Sequence, residues 1–465
     1  MSLTVFHVLG FVLCVLAIAA IGLWSGRGVT SASDFSVGGG KGSLLLITGL
    51  LLGTNIGGGA TIGTAQSAFL GGFYGIWWCL GLSLGGLMIA IFFSGPMKCS
   101  GCTTLQQLLR RRYGARAALL SAILSSLGVL ISIVTQQLSA IALLTAFFHI
   151  DTWVASLISA ALMACYVLFG GALSAGLVGL CKAGLLFALS LTSAGAAAWY
   201  LHTQPGALLS LPSEQYFSLH TGGLASNLGN AVATAVGLTC SQVYFQAFAT
   251  ARDQRTGQVA AALSSLLLIP VSISSILVGL CMRIQQPDLA PSLAFPSFLI
   301  HHFPPLWSGI AIAALLITIV GSGAGVALGI STVITTDLFG CIAPHASDRL
   351  RLAVSRWSIA AVMALTWLFA ATNLGSLVLE WSFLSMAFRS AVNCAPLYAA
   401  LFFRRHVSQR CCLASMLTGI AVYLIGQITQ PDILEPLFLS LPLSLAVLLF
   451  GYQKHVPSSP TLSIK

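Results

Sequence analysis

Long runs of apolar residues fill most of this chain and set the main constraint on its fold. Of 465 residues, 20 are Lys or Arg and 10 are Asp or Glu, whereas 57% are hydrophobic. A helix needs roughly 20 apolar residues to cross about 30 Å of hydrocarbon, and its backbone satisfies its own hydrogen bonds there. The runs lack the alternation of membrane strands, so they predict helices. We expect an all-α polytopic membrane protein with spans at residues 4–24, 43–68, 75–97, 117–148, 152–171, 176–200, 225–249, 258–282, 306–336, 350–371, 374–403, 410–428 and 432–452.

The basic residues sort to one side of these thirteen spans and predict the orientation of the chain. With the N-terminus outside, all but three of the 20 Lys and Arg fall in inside segments. Arg283 falls outside, and Lys182 and Arg389 fall within spans. Because cytoplasmic loops carry the excess of Lys and Arg, we expect the C-terminus to be cytoplasmic. The net charge of +10 then reflects topology in a lipid membrane rather than affinity for nucleic acid.

The connecting segments and the cysteines exclude other classes of protein. The longest segments between spans are too short for a soluble domain; they are residues 98–116, 201–224, 283–305 and 337–349. We therefore expect a single transmembrane domain over residues 1–465. Cys99 and Cys102 lack a second ligand pair at zinc-site spacing, and no acidic residues pair at metal-ligand spacing. We expect no enzyme activity, no resident cofactor and no obligate protein partner.

A tract of glycines interrupts the second span. Residues 53–63 read GTNIGGGATIG and place five glycines near the middle of the span. Close packing against a neighbouring helix explains some of them. Three consecutive glycines exceed that need, since each weakens a helix by about 1 kcal/mol relative to Ala. Unwound backbone in a membrane is tolerated where it lines a cavity or a binding site, so we expect a broken helix whose carbonyls and amides face a chamber.

Four motifs, in order along the chain, resemble those of the sodium:solute symporter family. They are DFSVGGG at 34–40, TLQQLLRRRYG at 104–114, FGG at 169–171 and STVITTDLF at 331–339. The resemblance extends over about residues 1–405, and thirteen spans with the N-terminus outside is also the family plan. It implies a secondary active transporter that imports a small organic solute across a bacterial-type inner membrane by alternating access, with sodium as the coupling ion.

The resemblance also implies the inverted-repeat architecture of the leucine-transporter type. Two repeats of five helices, at 43–200 and 225–403, each open with a broken helix. An extra helix at 1–24 and two C-terminal helices at 410–452 flank the repeats. The second broken helix is then the seventh span, and we expect its break near GLTCSQ, residues 237–242.

A transporter-like membrane sensor is the less favoured alternative. Sensors of this family usually carry a cytosolic signalling domain, whereas thirteen residues follow Tyr452. The short tail therefore favours transport.

By resemblance, a sodium site lies between the first break and the ninth span. The family supplies backbone carbonyls, here those of Gly53, Ile56 and Thr318, together with two adjacent hydroxyls. Oxygen ligands of this kind suit a hard cation. This chain keeps the hydroxyl of Ser322 but has Gly321 at the other hydroxyl position.

Two residues of span six close to this site also depart from the family pattern. In span six the family usually has an Asp and, three residues later, a Gln, where this chain has Gly179 and Lys182. Three interpretations of Lys182 stay open: it snorkels to the cytoplasmic interface, it acts as a tethered cation at the ion site, or it contacts the substrate. A buried lysine can lose its proton, and some relatives with this architecture use such a lysine in place of sodium. Coupling to sodium and coupling to protons are both retained.

The candidate substrate contacts are polar and aromatic residues near the two breaks and two charges in span eleven. They are Asn55, Gly57, Gly58, Thr61, Trp78, Ser241, Gln242, Tyr244, Glu380 and Arg389. Glu380 and Arg389 are nine residues apart, on opposite faces of an ideal helix, so we expect no direct ion pair. Alternatively, Glu380 reaches the outer interface, Arg389 bridges carbonyls and Trp78 belongs to an interfacial belt. Arg389, Lys182 and the partial positive charge at half-helix N-termini favour a carboxylate-bearing solute over a sugar.

Overall fold

The computed structural model describes residues 4–26, 42–169, 172–343, 345–373, 375–403, 407–429 and 435–450. Within these ranges the chain is helical apart from its connections and an isolated bridge between Gly42 and Ala251. The predicted all-α class is therefore confirmed. The motif at 34–40, both glycines of the motif at 169–171 and the tail after Tyr452 lie outside the described residues.

The first half of the chain forms the helices of the first six predicted spans. In chain order they are α1 (Val5–Gly26), α2 (Leu44–Asn55), a π-helical turn (Gly59–Gly63) that continues as α3 (Thr64–Gly71), α4 (Ile76–Met88), a second π-helical turn (Ile89–Phe93), α5 (Ser94–Ser100), α6 (Leu105–Tyr113), α7 (Ala115–Phe148), α8 (Thr152–Phe169) and α9 (Ala172–Thr203). The second span is thus split into α2 and α3, which is the first of the two predicted breaks.

The second half forms the remaining spans and their connections. In chain order it contains α10 (Pro205–Leu209), α11 (Ser213–Tyr216), α12 (Leu224–Thr239), α13 (Gln242–Thr250), α14 (Gln254–Gln285), α15 (Ala294–His302), α16 (Pro305–Thr332), a third π-helical turn (Val333–Phe339), α17 (Gly340–Ile342), α18 (Asp348–Thr372), α19 (Val378–Phe402), α20 (Gln409–Thr429) and α21 (Leu437–Phe450). The seventh span is split into α12 and α13, which is the second predicted break.

The lengths and apolar character of these helices suit a membrane. Seven helices in the described part of the chain are long and apolar enough to cross a bilayer, and four shorter apolar helices accompany them. The protein is therefore a multi-pass membrane protein. Polar side chains begin several helices: Thr104 accepts a hydrogen bond from Gln107 N (3.0 Å) at α6, and Asp253 accepts one from Thr256 N (2.7 Å) at α14.

Helices α2 and α9 pack against each other with their backbones in close contact. A Cβ on Gly179 of α9 would overlap the carbonyl of Gly49 in α2, and one on Gly53 would lie 2.9 Å from Gly179 Cα. The two backbones approach this closely because both positions are glycine. Since side chains three residues apart share a helix face, this contact places Lys182 beside the C-terminal end of α2.

Candidate functional site

The first break lies against α7. α2 ends at Asn55, Ile56 adopts extended dihedral angles (φ −88°, ψ 102°) and the π-helical turn starts at Gly59. A Cβ on Gly58 would overlap the Ser139 hydroxyl, so only glycine lets the chain approach α7 here. Gln136 Oε1 accepts a hydrogen bond of 2.7 Å from Gly58 N and satisfies an amide at the start of the second half-helix. Gln136 therefore holds the break in place from α7.

Two predicted substrate contacts lie within this break. A Cβ on Gly57 would overlap the Gln136 carboxamide, and Thr61 Oγ1 donates to Gly57 O at 3.0 Å. Both residues are buried in contacts within the protein. Their local role is to shape the turn between the two half-helices.

The carbonyls freed by the break face α9 and α16. Gly53 O accepts a hydrogen bond from Lys182 Nζ (3.0 Å), and the single proton of the Ser322 hydroxyl is shared between Gly53 O (2.9 Å) and Ile56 O (2.8 Å). Lys182 is 3% exposed, so its side chain turns inward rather than snorkelling to the interface. A Cβ on Gly321 would overlap the Lys182 ammonium. The ammonium thus lies among the residues assigned to sodium by resemblance.

No carboxylate compensates Lys182 among the described residues. The ion pair found in the described part of the chain joins Arg252 and Asp253, which are both exposed. Burying an ammonium without an anion is costly, so the carbonyl dipole of Gly53 is its main stabilising partner. Thr318, the fourth residue assigned to the ion site, is also buried in α16, and its hydroxyl donates to Ala314 O (2.7 Å).

The second break lies where the sequence predicted it. α12 ends at Thr239, and Ser241 is extended (φ −80°, ψ 131°) before α13 begins. The two breaks are joined because Asn55 Nδ2 donates to Tyr244 OH at 2.9 Å. Ser241 and Asn55 also border the same cavity. The polar residues of the two broken helices therefore meet at the centre of the protein.

Gln242 at the second break is engaged by the backbone of a connecting segment. Its Nε2 donates to Thr103 O (2.9 Å), and its Oε1 accepts from Leu105 N (3.2 Å). Gln242 thereby ties α13 to the start of α6. It borders the central cavity, but both ends of its carboxamide are already occupied.

A cavity of about 70 Å³ lies between the two broken helices, α7, α16 and α19. Since one water molecule needs roughly 10–15 Å³ of such volume, the cavity has room for several waters. Trp78, Met386 and Gln106 of α6 are among the residues that line it. The polar, aromatic and sulfur-containing side chains in its lining are Thr54, Asn55, Trp78, Gln106, Ser125, Ser126, Ser132, Gln136, Cys240, Ser241, Gln242, Met386 and Arg389.

Arg389 brings a buried cation to this cavity. It is 5% exposed, its Nε donates to Ser385 O (3.2 Å), and its Nη2 donates to Ser385 Oγ (2.9 Å). Its stem packs on α7, where a Cβ on Gly128 would lie 3.0 Å from Arg389 Cγ. A guanidinium has five N–H donors, and the described contacts use two of them. The remaining donors suit a carboxylate.

Trp78 also borders the cavity. Its ring is 6% exposed and meets Phe383 edge-on, with centroids 5.4 Å apart. Its indole Nε1 is buried without a hydrogen-bond partner in the described structure. Glu380, by contrast, is exposed and does not border the cavity, and it forms no ion pair with Arg389.

The structure thus gathers five of the ten predicted substrate contacts around one cavity: Asn55, Trp78, Ser241, Gln242 and Arg389. Gly57, Gly58, Thr61 and Tyr244 shape or join the breaks, and Glu380 lies apart. The sequence analysis did not select Gln136 or Gln106. Gln136 had a signal, because it is a carboxamide in the middle of a long apolar run, and Gln106 lies within the motif at 104–114.

Comparisons with known proteins bear on the family and the fold of the chain. A model of the sodium:solute symporter family matches residues 35–419. The osmoregulated proline transporter OpuE of Bacillus subtilis (strain 168) is 22% identical over 442 residues, or 88% of this chain and 86% of that protein. The high affinity choline transporter 1 of Homo sapiens is 29% identical over 192 residues, which cover 36% of this chain and 31% of that protein.

Solved structures share the fold. A Na+-coupled sialic acid symporter superposes with a TM-score of 0.79 and 15% identity, covering 98% of this chain and 100% of that chain. MHP1, a nucleobase-cation-symport-1 family transporter, gives a TM-score of 0.57 with 12% identity over 91% of this chain and 96% of that chain. At these identities the likeness concerns the fold alone.

Proposed function

The chain belongs to the sodium:solute symporter family, and from this premise we propose that it imports a small carboxylate-bearing solute driven by a cation gradient. Family membership makes it a membrane transporter rather than an enzyme. The solute class, the coupling ion and the direction of transport are our proposals. The predicted location is a bacterial-type inner membrane, with the N-terminus outside and the C-terminus in the cytoplasm. The observation that carries the proposal is the pair of buried cations, Lys182 and Arg389.

The ion site supports coupling through Lys182. A sodium ion at the predicted position would take Gly53 O and Ile56 O as ligands. In this chain Gly53 O accepts the Lys182 ammonium, and Gly321 leaves the space that the ammonium fills. We infer that the protonated lysine supplies the positive charge that sodium supplies elsewhere. Binding and release of one proton at Lys182 then replace binding and release of sodium.

Coupling between the proton and the solute follows from the position of the charge on Lys182. Protonated Lys182 joins α9 to the C-terminal end of α2, and the break that follows α2 borders the solute cavity through Asn55. A proton that favours one arrangement of the break and a solute that favours the same arrangement stabilise each other's binding, which is linkage between two sites. Because the two interrupted helices bound the solute cavity, the proton and the solute act on the same helices.

Sodium remains the second candidate, and one observation favours it. The Ser322 hydroxyl lies 2.9 Å from Gly53 O and 2.8 Å from Ile56 O, so three of the oxygens assigned to the ion site by resemblance are close together. Displacement of the Lys182 side chain would free this cluster for an ion. Sodium-driven transport would then use Gly53, Ile56, Thr318 and Ser322.

Uptake into proteoliposomes under an imposed gradient tests the proposal. We expect an inward proton gradient to drive accumulation of short carboxylates without sodium. Lys182→Gln should abolish gradient-driven accumulation while exchange of solute across the membrane persists. Arg255→Gln, which removes a cation from an exposed position, is the matched control and should behave as the wild type. Uptake that requires sodium and is unchanged in Lys182→Ala would reject the role of Lys182 and leave the sodium mechanism.

A further inference from the structure

We propose that the connecting segment between α10 and α12, residues 210–223, is a strap that makes α3 and α12 move as one unit. These two helices are the halves of the broken helices that lie on the predicted outer side of the membrane: α3 follows the first break and α12 leads into the second. Trp77 and Asn227 are the positioning residues of the strap. Because the strap acts on a movement that transport requires, its role rests on the proposed function.

The strap is anchored to the C-terminal end of α3 by hydrogen bonds. Gln215 Nε2 donates to Leu70 O at 3.0 Å. Tyr216 OH lies 3.4 Å from Phe69 O. Carbonyls in the last turn of a helix have no intrahelical donor, so the strap supplies the donors that α3 lacks. The two backbones also touch, because a Cβ on Gly72 would overlap Tyr216 O.

Apolar contacts add to this anchor. Tyr216 is 3% exposed and belongs to one buried cluster with Ala68 of α3 and Leu280 of α14. The next residue, Phe217, packs on Phe73 with ring centroids 6.1 Å apart. Phe73 lies in the short turn, Gly72–Gly75, that follows α3. The strap is therefore held to α3 and to this turn by polar and apolar contacts together.

One carbonyl of the strap joins helices of the two predicted repeats. Leu219 O accepts a hydrogen bond from Trp77 Nε1 of α4 (3.2 Å) and another from Asn227 Nδ2 of α12 (3.1 Å). Asn227 Nδ2 also donates to Thr221 O at 2.9 Å, so both protons of its amide group are used. Asn227 is 1% exposed, whereas the Leu219 side chain is 43% exposed. The backbone of the strap, rather than burial of its side chain, therefore holds this point.

The two broken helices are thus joined at two levels. At the centre Asn55 donates to Tyr244 OH (2.9 Å), and at the outer ends the strap connects α3 and α4 to α12. A buried amide such as that of Asn227 is costly to leave without acceptors, so α12 does not tilt away from the strap alone. A solute that displaces one break at the cavity therefore displaces the outer ends of both broken helices.

Hydrogen–deuterium exchange of the purified full chain in detergent tests the strap without a solute or a gradient. Trp77→Phe keeps an aromatic ring and removes one donor to Leu219 O, so amides in the first turn of α12 should exchange about fivefold faster. Asn227→Leu removes the donors on the other side and should speed exchange at residues 72–75 to a similar extent. Asn230→Leu, the same change one turn along α12, and Trp199→Phe, at an exposed position, are the matched controls and should alter neither region.

Transfer across Leu219 O is the decisive result. Faster exchange confined to the side that carries the substitution would overturn the inference, because the outer ends of α3 and α12 would then open independently. Each variant tests the transfer by itself, so misfolding of one leaves the other decisive. This result does not depend on which solute or ion the chain carries.

A cross-link tests the movement during transport. Phe73→Cys combined with Phe217→Cys can be joined by a short, membrane-impermeant bifunctional thiol reagent, with a monofunctional reagent as the control. Uptake of short carboxylates by the linked protein should stay within twofold of that before linkage, because α3 and the strap do not separate. Loss of uptake on linkage alone would show that they do separate and would overturn the inference. Failure of the wild type to take up any short carboxylate would instead overturn the proposed function, and hydrogen exchange would still decide whether the strap joins the two helices.

Discussion

The Lys182 ammonium donates a hydrogen bond of 3.0 Å to the Gly53 carbonyl, the same oxygen that accepts the Ser322 hydroxyl at 2.9 Å. One backbone oxygen thereby joins three helices, since these residues belong to α2, α9 and α16. Gly321, the residue before Ser322, has no side chain that would occupy the space of the ammonium. The lysine and the glycine are therefore sterically complementary, since a side chain at position 321 would overlap the ammonium.

We predict that Lys182→Ala combined with Gly321→Ser makes the protein respond to sodium. The first change vacates the space beside Gly53 O, and the second supplies the missing hydroxyl next to Ser322. Sodium then finds carbonyl and hydroxyl ligands of the kind a hard cation prefers. At 100 times its dissociation constant, sodium would stabilise the variant by about 2.7 kcal/mol, measured as a rise in Tm in NaCl relative to KCl.

The single variants control this experiment. Gly321→Ser alone places a side chain where the ammonium lies, so it should lower Tm and uptake in both salts. Lys182→Ala alone keeps one hydroxyl and should respond to sodium less than the double variant. An equal Tm for the double variant in NaCl and KCl would contradict the assignment of this position as an ion site.

The two hydrogen bonds by which Gln242 ties α13 to the start of α6 predict its role: replacing Gln242 should change the transport rate rather than the solute affinity. Gln242→Met keeps an unbranched side chain of similar length and adds no charge beside the cavity, but it removes the donor to Thr103 O and the acceptor for Leu105 N. Loss of such a bond costs about 1 kcal/mol and loosens α13 from the start of α6. Initial-rate uptake should show an altered maximal rate with KM within twofold of the wild type. A large rise in KM with an unchanged maximal rate would instead assign Gln242 to the solute.

Local chain geometry explains why the first break could be predicted, whereas the second break was implied by the family resemblance. Three consecutive glycines in a long apolar run weaken a regular helix, and the first break, at Ile56–Gly58, contains two of them. Lys182 was also conspicuous, because a lysine within an apolar run is rare. The direction in which the Lys182 side chain points was not predictable, since snorkelling to the interface and burial inside the protein differ only in the rotamers of one flexible side chain. The close approach of Gly179 to Gly49 decides between them.

Tertiary contacts account for what the sequence analysis missed at the site. Gln136 lies far along the chain from the break, and only the packing of α7 brings its carboxamide to Gly58 N. Gln242 was expected at the solute for its polarity, yet the connecting segment before α6 occupies both ends of its amide. A single sequence shows which polar groups lie within the membrane, but pairing between distant helices decides which of them stay free for a ligand.

The close contact of the first break with α7 predicts that Gly58→Ala impairs transport. Its methyl group would overlap the Ser139 side chain, and overpacking of this kind costs typically 1–3 kcal/mol. Uptake should fall at least tenfold, and Tm should fall by several degrees. Gly184→Ala is the matched control, because nothing lies within 4 Å of a Cβ at that position of α9. Normal uptake by Gly58→Ala would show that the break tolerates a side chain and that its contact with α7 is dispensable.

The histidine at the end of α15 predicts how stability depends on pH. His302 Nε2 lies 2.9 Å from Gln285 Oε1, and its ring stacks on Phe298 with centroids 4.4 Å apart. Burial, followed by the charge of His301, lowers the pKa of His302 below its usual value of 6.5. Because the unfolded chain then binds more protons, this contribution to stability is complete above about pH 6.5. It is lost as pH falls through the lower folded pKa. Thermal unfolding in detergent between pH 8 and pH 5 should show the decline, and His302→Gln should reduce it, whereas the same change at exposed His220 should not. An identical pH dependence in wild type and His302→Gln would assign the decline to other groups.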